Sequence, residues 1–175
     1  NTTWYFKGLY NERESTNQAA PEPIFLGPEA GTGNAYADNI FISRTNPYNP
    51  FGIDFISTGP DANLIFFGRR PIEGGARVFN QEVDTWYIAT GFEGNFDLGA
   101  RKLYWDLNYA TSQNKAEQTN YGSYNIRRIA QALGPVDACN ADPNCVPLNY
   151  FGGQGAGGGT ITPEMLAYIQ PIIRD

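Results

Sequence analysis

The chain has 175 residues, of which 41% are hydrophobic and 17% are charged, and its formal net charge is −6. An acidic chain is a poor candidate for nucleic-acid binding, because contact with phosphates needs a basic surface. No run approaches about 18 consecutive apolar residues, so no transmembrane helix is predicted. The sequence has no His, the usual general base and a frequent metal ligand. We therefore expect neither an enzyme nor a metal or cofactor site.

The first and last residues of the sequence suggest whether it is a whole protein or part of one. Residues 1–6 already have strand character, and residues 171–175 contain no terminal motif. We therefore expect a piece of a longer protein. A mature domain that has lost its signal peptide is the alternative.

A first strand is predicted over about residues 2–16. Trp4, Phe6, Gly8 and Tyr10 share one face, because side chains alternate along a strand with a period of two. A long loop rich in Gly, Pro and Asn follows over 17–76. Connections of this length are usually functional or disordered.

A long antiparallel hairpin over 77–120 is the strongest signal in the sequence. In its first strand Trp86, Ile88, Phe92 and Phe96 share a face, opposite to Thr85, Glu93 and Asn95. In the second strand the shared face holds Leu103, Trp105, Leu107 and Tyr109, opposite to Lys102, Asp106, Asn108 and Ser112. Each alternating run reaches the length of about 10 residues that a tilted strand needs to cross a bilayer.

Both hairpin strands are apolar beside the short turn at 97–101 and polar away from it. A membrane barrel that projects above the bilayer has this gradient, with short turns on one side and long loops on the other. In the polar part, Glu82 and Asp84 lie two positions apart, a spacing that an acid pair or a cation site would also have, although neither is expected here. Ordinary polar positions in the upper, lumen-facing part of a barrel are the alternative.

The last loop, 121–175, is predicted to hold two short helices. The first covers about 125–133 and ends at Gly134-Pro135, and the second covers about 163–169 after Thr162 as N-cap. Between them, the glycine-rich tract at 152–159 is predicted to be a flexible tether.

Cys139 and Cys145 are separated by five residues that favour turns, which permits a small disulfide-closed loop. A disulfide indicates an oxidising compartment such as the periplasm or cell surface. Two free thiols are the alternative. A metal site is not expected, because a lone Cys pair without His is poor zinc chemistry.

The last loop also holds the candidate ligand-binding residues. Arg127 and Arg128 suit an anionic ligand such as a ferric siderophore or an acidic sugar. Aromatic rings that suit stacking on a sugar or chelate ring are Tyr121, Tyr124, Tyr150 and Phe151. Solvated surface charges and packing of the loop on itself are the alternatives.

Several motifs together resemble TonB-dependent outer-membrane receptors. They are the loop Asn46-Pro47-Tyr48-Asn49-Pro50-Phe51-Gly52, the strand segments at 85–94 and 105–106, the segment 139–152 and the helix at 162–169. The resemblance implies an all-β fold, with strands from a 22-stranded barrel and two short helices in extracellular loops. It also implies partners: a nutrient ligand, outer-membrane lipid and the TonB complex.

The expected function is part of a receptor in the outer membrane of a Gram-negative bacterium. Such a receptor takes up a scarce nutrient, for example a siderophore or a carbohydrate. The chain departs from the family because it lacks a TonB box and a plug domain, so contact with the TonB complex would involve parts of the parent not present here. The alternative function is a secreted or surface all-β ligand-binding module, such as a carbohydrate-binding sandwich.

Overall fold

The computed structural model describes residues 1–153 and 159–174, so most of the predicted tether lies outside the described residues. The chain is mostly β with a few short helices, and the predicted all-β class is confirmed at this level. The strands are β1 (Thr2–Ala19), β2 (Ile24–Leu26), β3 (Phe41–Ile42), β4 (Phe55–Ile56), β5 (Phe67–Arg69), β6 (Arg77–Leu98), β7 (Arg101–Tyr121) and β8 (Ile173–Arg174). The helices are α1 (Ala35–Asp38), α2 (Ile126–Leu133), α3 (Val136–Asn140) and α4 (Pro163–Ile169).

The chain divides into two compact units, each described separately below. The strand unit comprises Asn1–Thr16, Asn80–Thr119 and Arg174, and the loop unit comprises Asn17–Phe79 and Asn120–Ile173.

The strand unit is built on an open sheet with the order β1-β6-β7-β8. β6 and β7 form the predicted hairpin, and their turn contains Gly99 at φ 63°. Glycine suits this turn because it lacks the Cβ atom that makes a left-handed conformation costly. β6 pairs with β1 along its other edge, where Asn1 and Asn95 exchange two backbone hydrogen bonds of 2.9 Å. This is the pattern of directly opposed residues in an antiparallel pair, so it sets the register of β1 on β6.

Side-chain contacts show which residues share a face of this sheet. Trp4 of β1 donates from its indole to the Thr90 hydroxyl of β6 at 2.9 Å. Between β6 and β7, Gly94 faces the side chain of Trp105. A Cβ atom at Gly94 would come within 2.9 Å of the Trp105 ring. Even-numbered positions of β1 and β6 therefore lie on the same face as odd-numbered positions of β7, since alternation fixes the rest.

We call the apolar side of this sheet the aromatic face. Its members are Trp4, Phe6, Tyr10, Trp86, Ile88, Phe92, Phe96, Leu103, Trp105, Leu107 and Tyr109. Most of them are exposed, for example Trp4 at 60% and Leu107 at 68%. The opposite face is mixed, with the polar Glu93, Asp106 and Asn108 beside exposed Leu9 and Tyr104.

The loop unit has its own hydrophobic core. Two short antiparallel ladders, β2 with β5 and β3 with β4, lie within the segment predicted as a long loop. Fully buried side chains include Leu26, Ile42, Ile129, Leu148 and Ile169. The apolar residues of 17–76 and of 121–175 therefore form one cluster.

The helices of the loop unit begin where side-chain caps are available. Asn125 caps α2 by accepting from the Arg128 backbone N–H at 3.2 Å, and Gly134 ends the helix. Thr162 caps α4 by accepting from the Met165 N–H at 3.4 Å. Each side chain satisfies a backbone donor that the first helical turn leaves without a partner.

Within the described residues, every helix is too short or too polar to cross a membrane.

Candidate functional site

A polar cavity of about 640 Å³ lies along α2 in the loop unit. Its lining residues come from α2, α4 and the loop closed by the cysteines: Asn125, Arg127, Arg128, Gln131, Asp142, Asn144, Glu164, Ala167 and Tyr168. The volume lies within the range of about 300–1,000 Å³ that ligand pockets usually have.

The loop closed by the cysteines forms one wall of the cavity. Cys139 and Cys145 are bonded, with their Cα atoms 5.3 Å apart, as the sequence predicts. Within the loop the Cys145 N–H donates to the Asp142 carbonyl at 3.0 Å, which makes a tight turn. The disulfide and the turn together hold the carboxylate of Asp142 at the cavity.

Asp142 is bound from two sides. The Asn144 N–H donates to one carboxylate oxygen at 3.0 Å, and Gln131 of α2 donates to the other at 3.1 Å. The pKa of Asp142 lies below its ordinary value, mainly because of the Asn144 N–H. Asp142 is therefore a carboxylate at neutral pH, anchored to α2.

Two guanidinium groups also line the cavity. Arg128 donates to the Tyr168 carbonyl at 2.9 Å, and its guanidinium lies 5.5 Å from the centre of the Tyr168 ring. This cation–π geometry fixes Arg128 against α4. Arg127 is exposed. Arg128 is exposed as well, so the predicted pair contributes two solvent-exposed cations, of which Arg128 is anchored to α4.

Glu164 is the second carboxylate of the cavity. The pKa of Glu164 lies below its ordinary value, mainly because of a hydrogen bond from the Thr162 side chain. Both carboxylates are therefore ionised at neutral pH. Because Arg127 and Arg128 balance them, the cavity has no formal net charge.

Two of the predicted aromatic ligands lie in the core instead. Tyr150 is 5% exposed and donates to the Ile24 carbonyl at 3.2 Å. Burial raises the pKa of Tyr150. The Phe151 ring lies within 5.7 Å of four other rings, those of Phe51, Phe55, Phe67 and Tyr150. These two side chains pack the loop unit, which is the alternative role that the sequence left open for them.

The other two predicted aromatics also lie outside the cavity lining. Tyr121 is exposed at the end of β7. The Tyr124 hydroxyl is buried and has no hydrogen-bond partner among the described residues. Burial raises the pKa of Tyr124 to about 12. Their binding role stays a prediction.

Sequence reasoning did not select Gln131, Asp142, Asn144 or Glu164 for the site. A signal was present for Gln131, since it lies four positions after Arg127 and therefore on the same side of a helix. For Asp142 and Asn144 the signal was the loop closed by the cysteines. The sequence contained no signal for Glu164, because only tertiary packing brings α4 to α2.

A second cluster of titratable groups lies in the strand unit. Carboxylate oxygens of Glu12, Glu14 and Glu82 all lie within 4.8 Å of one another, and the three side chains are exposed. Sequence reasoning had associated Glu82 with Asp84 instead. Exposed acidic groups of this kind are common without an ion, so the cluster is not evidence for a metal site.

Comparison of the chain with protein-family models, with curated proteins and with solved structures finds no match.

Proposed function

We propose that the chain forms wall strands and ligand-binding loops of a TonB-dependent receptor in the outer membrane of a Gram-negative bacterium. The strands would belong to a 22-stranded barrel, and the receptor would take up a scarce nutrient. The observation that carries this proposal is the aromatic face, which extends across three neighbouring long strands. The motif resemblance set out above supports the same family.

An exposed face of this kind is suited to lipid. Contiguous apolar patches above a few hundred Å² are rare on monomeric proteins in water. Strands that alternate between an apolar face and a polar one are typical of outer-membrane barrels, where the apolar face meets lipid. The mixed opposite face, with Glu93, Asp106 and Asn108, is compatible with a barrel interior.

The height of the aromatic face fits the membrane. From Phe96 to Trp86 the chain advances by ten residues, or about 34 Å at the usual rise per residue. At a strand tilt of about 40°, this corresponds to about 26 Å along the membrane normal, against an apolar band of about 25 Å in such barrels. Beyond Trp86 the same face becomes charged, with Glu82 and Asp84.

The connections have the expected asymmetry. β6 and β7 are joined by a two-residue turn, whereas β1 and β6 are joined through residues 20–76. Outer-membrane barrels combine short periplasmic turns with long extracellular loops. An open sheet in lipid leaves backbone groups without partners, so this proposal requires additional strands from the rest of the receptor.

The ligand-binding part of the proposal rests on the cavity along α2. It lies in long loops, where binding residues are most often found. Its rigid walls, formed by α2, α4 and the disulfide loop, suit capture of a small polar nutrient. The TonB complex would act on parts of the receptor outside this chain.

Depth-dependent quenching in vesicles tests the lipid contact. A variant with Trp4, Trp86 and Trp105 changed to Phe would carry a new Trp at either position 103 or position 104. In brominated phosphatidylcholine vesicles, we expect strong quenching for Leu103→Trp and weak quenching for Tyr104→Trp, because neighbouring positions lie on opposite faces. Equal quenching would contradict the proposal. A chain that folds cooperatively as a monomer in water without detergent would favour the alternative, a secreted or surface ligand-binding module.

A further inference from the structure

A second cavity adjoins the first on α2. It has a volume of about 380 Å³ and a largely apolar lining: Ala35, Tyr36, Asn39, Phe41, Ala130, Gln131, Gly134, Pro135 and Ala138. Gln131 lines both cavities. We propose that the two cavities together form a groove for a neutral oligosaccharide. This inference rests on the proposed function, since the saccharide would be the nutrient.

The charges along the groove favour a neutral ligand. The polar cavity has two cations and two ionised carboxylates, and the second cavity is lined by uncharged residues only. An anionic chelate placed beside Arg127 and Arg128 would also meet Asp142 and Glu164. Like charges at short range oppose binding, whereas a ligand without charge avoids this cost.

The polar cavity offers both hydrogen-bond donors and hydrogen-bond acceptors to a sugar hydroxyl. A hydroxyl donates one hydrogen bond and accepts others, so it is best bound where donors and acceptors alternate. Here the guanidinium of Arg127 donates, the carboxylates of Asp142 and Glu164 accept, and the amides of Asn144 and Gln131 do both. The anchored Asp142 also needs no reorganisation on binding, which lowers the entropic cost of association.

The second cavity supplies exposed aromatic rings. Tyr36 and Phe41 line it and are 49% and 38% exposed. The ring of an aromatic side chain has a negative face, which attracts the weakly positive C–H groups on the flat side of a pyranose. A ligand with hydroxyl edges and C–H faces therefore matches both parts of the groove.

Both aromatic residues are held by local structure. Tyr36 lies in the first turn of α1, where its backbone N–H donates to the Asn34 side chain at 2.9 Å. Phe41 lies in β3, opposite Ile56 of β4. The backbone at both positions is therefore set before the ligand binds, which lowers the ordering cost of association.

Titration calorimetry on the whole chain in detergent micelles tests the inference. The probes are neutral hexasaccharides of glucose, xylose, mannose and galactose, with ferric citrate as the anionic comparison. We expect at least one neutral hexasaccharide to bind and ferric citrate not to bind. Tyr36→Ala should weaken the binding about tenfold, because it removes a stacking surface.

Tyr48→Ala is the matched control, since Tyr48 is an exposed tyrosine of the same unit that lines neither cavity. It should leave the affinity unchanged. Absence of binding for all four saccharides overturns the inference, and so does an equal loss of affinity in the two tyrosine variants. Ferric citrate binding that Arg127→Gln abolishes would also overturn it, in favour of an anionic ligand.

The calorimetric result and the quenching result are independent. If the chain bound a saccharide but the Trp of Leu103→Trp were not quenched by brominated lipid, the oligosaccharide groove would be supported and the receptor proposal contradicted. If that Trp were strongly quenched but no saccharide bound, the receptor proposal would be supported and the oligosaccharide groove contradicted.

Discussion

Trp86 of β6 donates a hydrogen bond from its indole nitrogen to the side-chain oxygen of Gln113 in β7, across 3.1 Å. The pair marks the end of the aromatic face. On the turn side of it the shared face is apolar, and on the other side it holds Lys115 and Glu117, which form an ion pair. An indole with one apolar side and one hydrogen-bonding nitrogen is well suited to the boundary between lipid and water.

The first prediction concerns the two faces of β7. Leu107 belongs to the aromatic face, and its neighbour Asn108 points to the other side. In the receptor proposed above, Leu107→Arg should lower the free energy of unfolding by about 2–4 kcal/mol, because it places a charge in the lipid. Asn108→Arg should have a small effect. Reversible denaturation in lipid vesicles measures both, and equal losses would contradict the assigned faces.

The second prediction concerns a buried ion pair in the loop unit. Arg69 donates to Glu73 at 2.6 Å and to the carbonyls of Asn149 and Tyr150 at 2.8 and 2.9 Å. The side chains of Arg69 and Glu73 are 8% and 9% exposed. Arg69→Met should therefore cost about 3–5 kcal/mol, because it leaves Glu73 buried without its cation.

Two further variants separate charge from packing at this pair. The double variant Arg69→Met with Glu73→Leu should recover part of the stability, since no lone charge remains. Arg44→Met, at the exposed pair with Asp54, should have a much smaller effect. Chemical denaturation of the four proteins gives the comparison. A loss at Arg44 equal to that at Arg69 would show that burial does not decide the effect.

The third prediction concerns the disulfide. It closes a loop with a sequence separation of 6. Changing Cys139 and Cys145 to Ser should lower the free energy of unfolding by about 2 kcal/mol, as expected for a short loop. A reducing agent should lower the stability of the wild type by the same amount and leave the double variant unchanged. If the reducing agent affected both proteins equally, the disulfide would not be the cause.

The sequence was most informative where the structure is regular. The period of two along 77–120 predicted the hairpin and its shared apolar face, and the N-cap Thr162 predicted the start of α4. These signals are local, since backbone alternation and first-turn hydrogen bonding depend on nearby residues only.

Long-range packing is what the sequence did not reveal. The short strands Ile24–Leu26 and Phe67–Arg69 pair with each other although they lie more than forty residues apart. Tyr150 was a candidate for stacking on a ligand because it is an aromatic residue of the last loop, but it packs in the core, as the alternative had it. An aromatic side chain in a loop gives no periodic signal, so its burial depends on which distant residues reach it.

The last prediction concerns Tyr124, whose buried hydroxyl has no partner among the described residues. Tyr124→Phe removes a polar group that was desolvated without compensation, so it should raise the free energy of unfolding at pH 7 by about 1 kcal/mol. Tyr150→Phe is the matched control. It removes a hydroxyl that donates to Ile24 and should lower the stability instead.

Alkaline pH gives an independent measurement at the same residue. Burial raises the pKa of Tyr124 to about 12 from 10.0, so the unfolded chain loses this proton at lower pH than the folded one. Ionisation of Tyr124 therefore leaves the free energy of unfolding unchanged below pH 10 and lowers it as the pH rises from 10 toward 12. In Tyr124→Phe the fall in stability across this interval should be smaller than in the wild type. Urea denaturation at a series of pH values measures it, and identical slopes would mean that the Tyr124 hydroxyl is accessible to water.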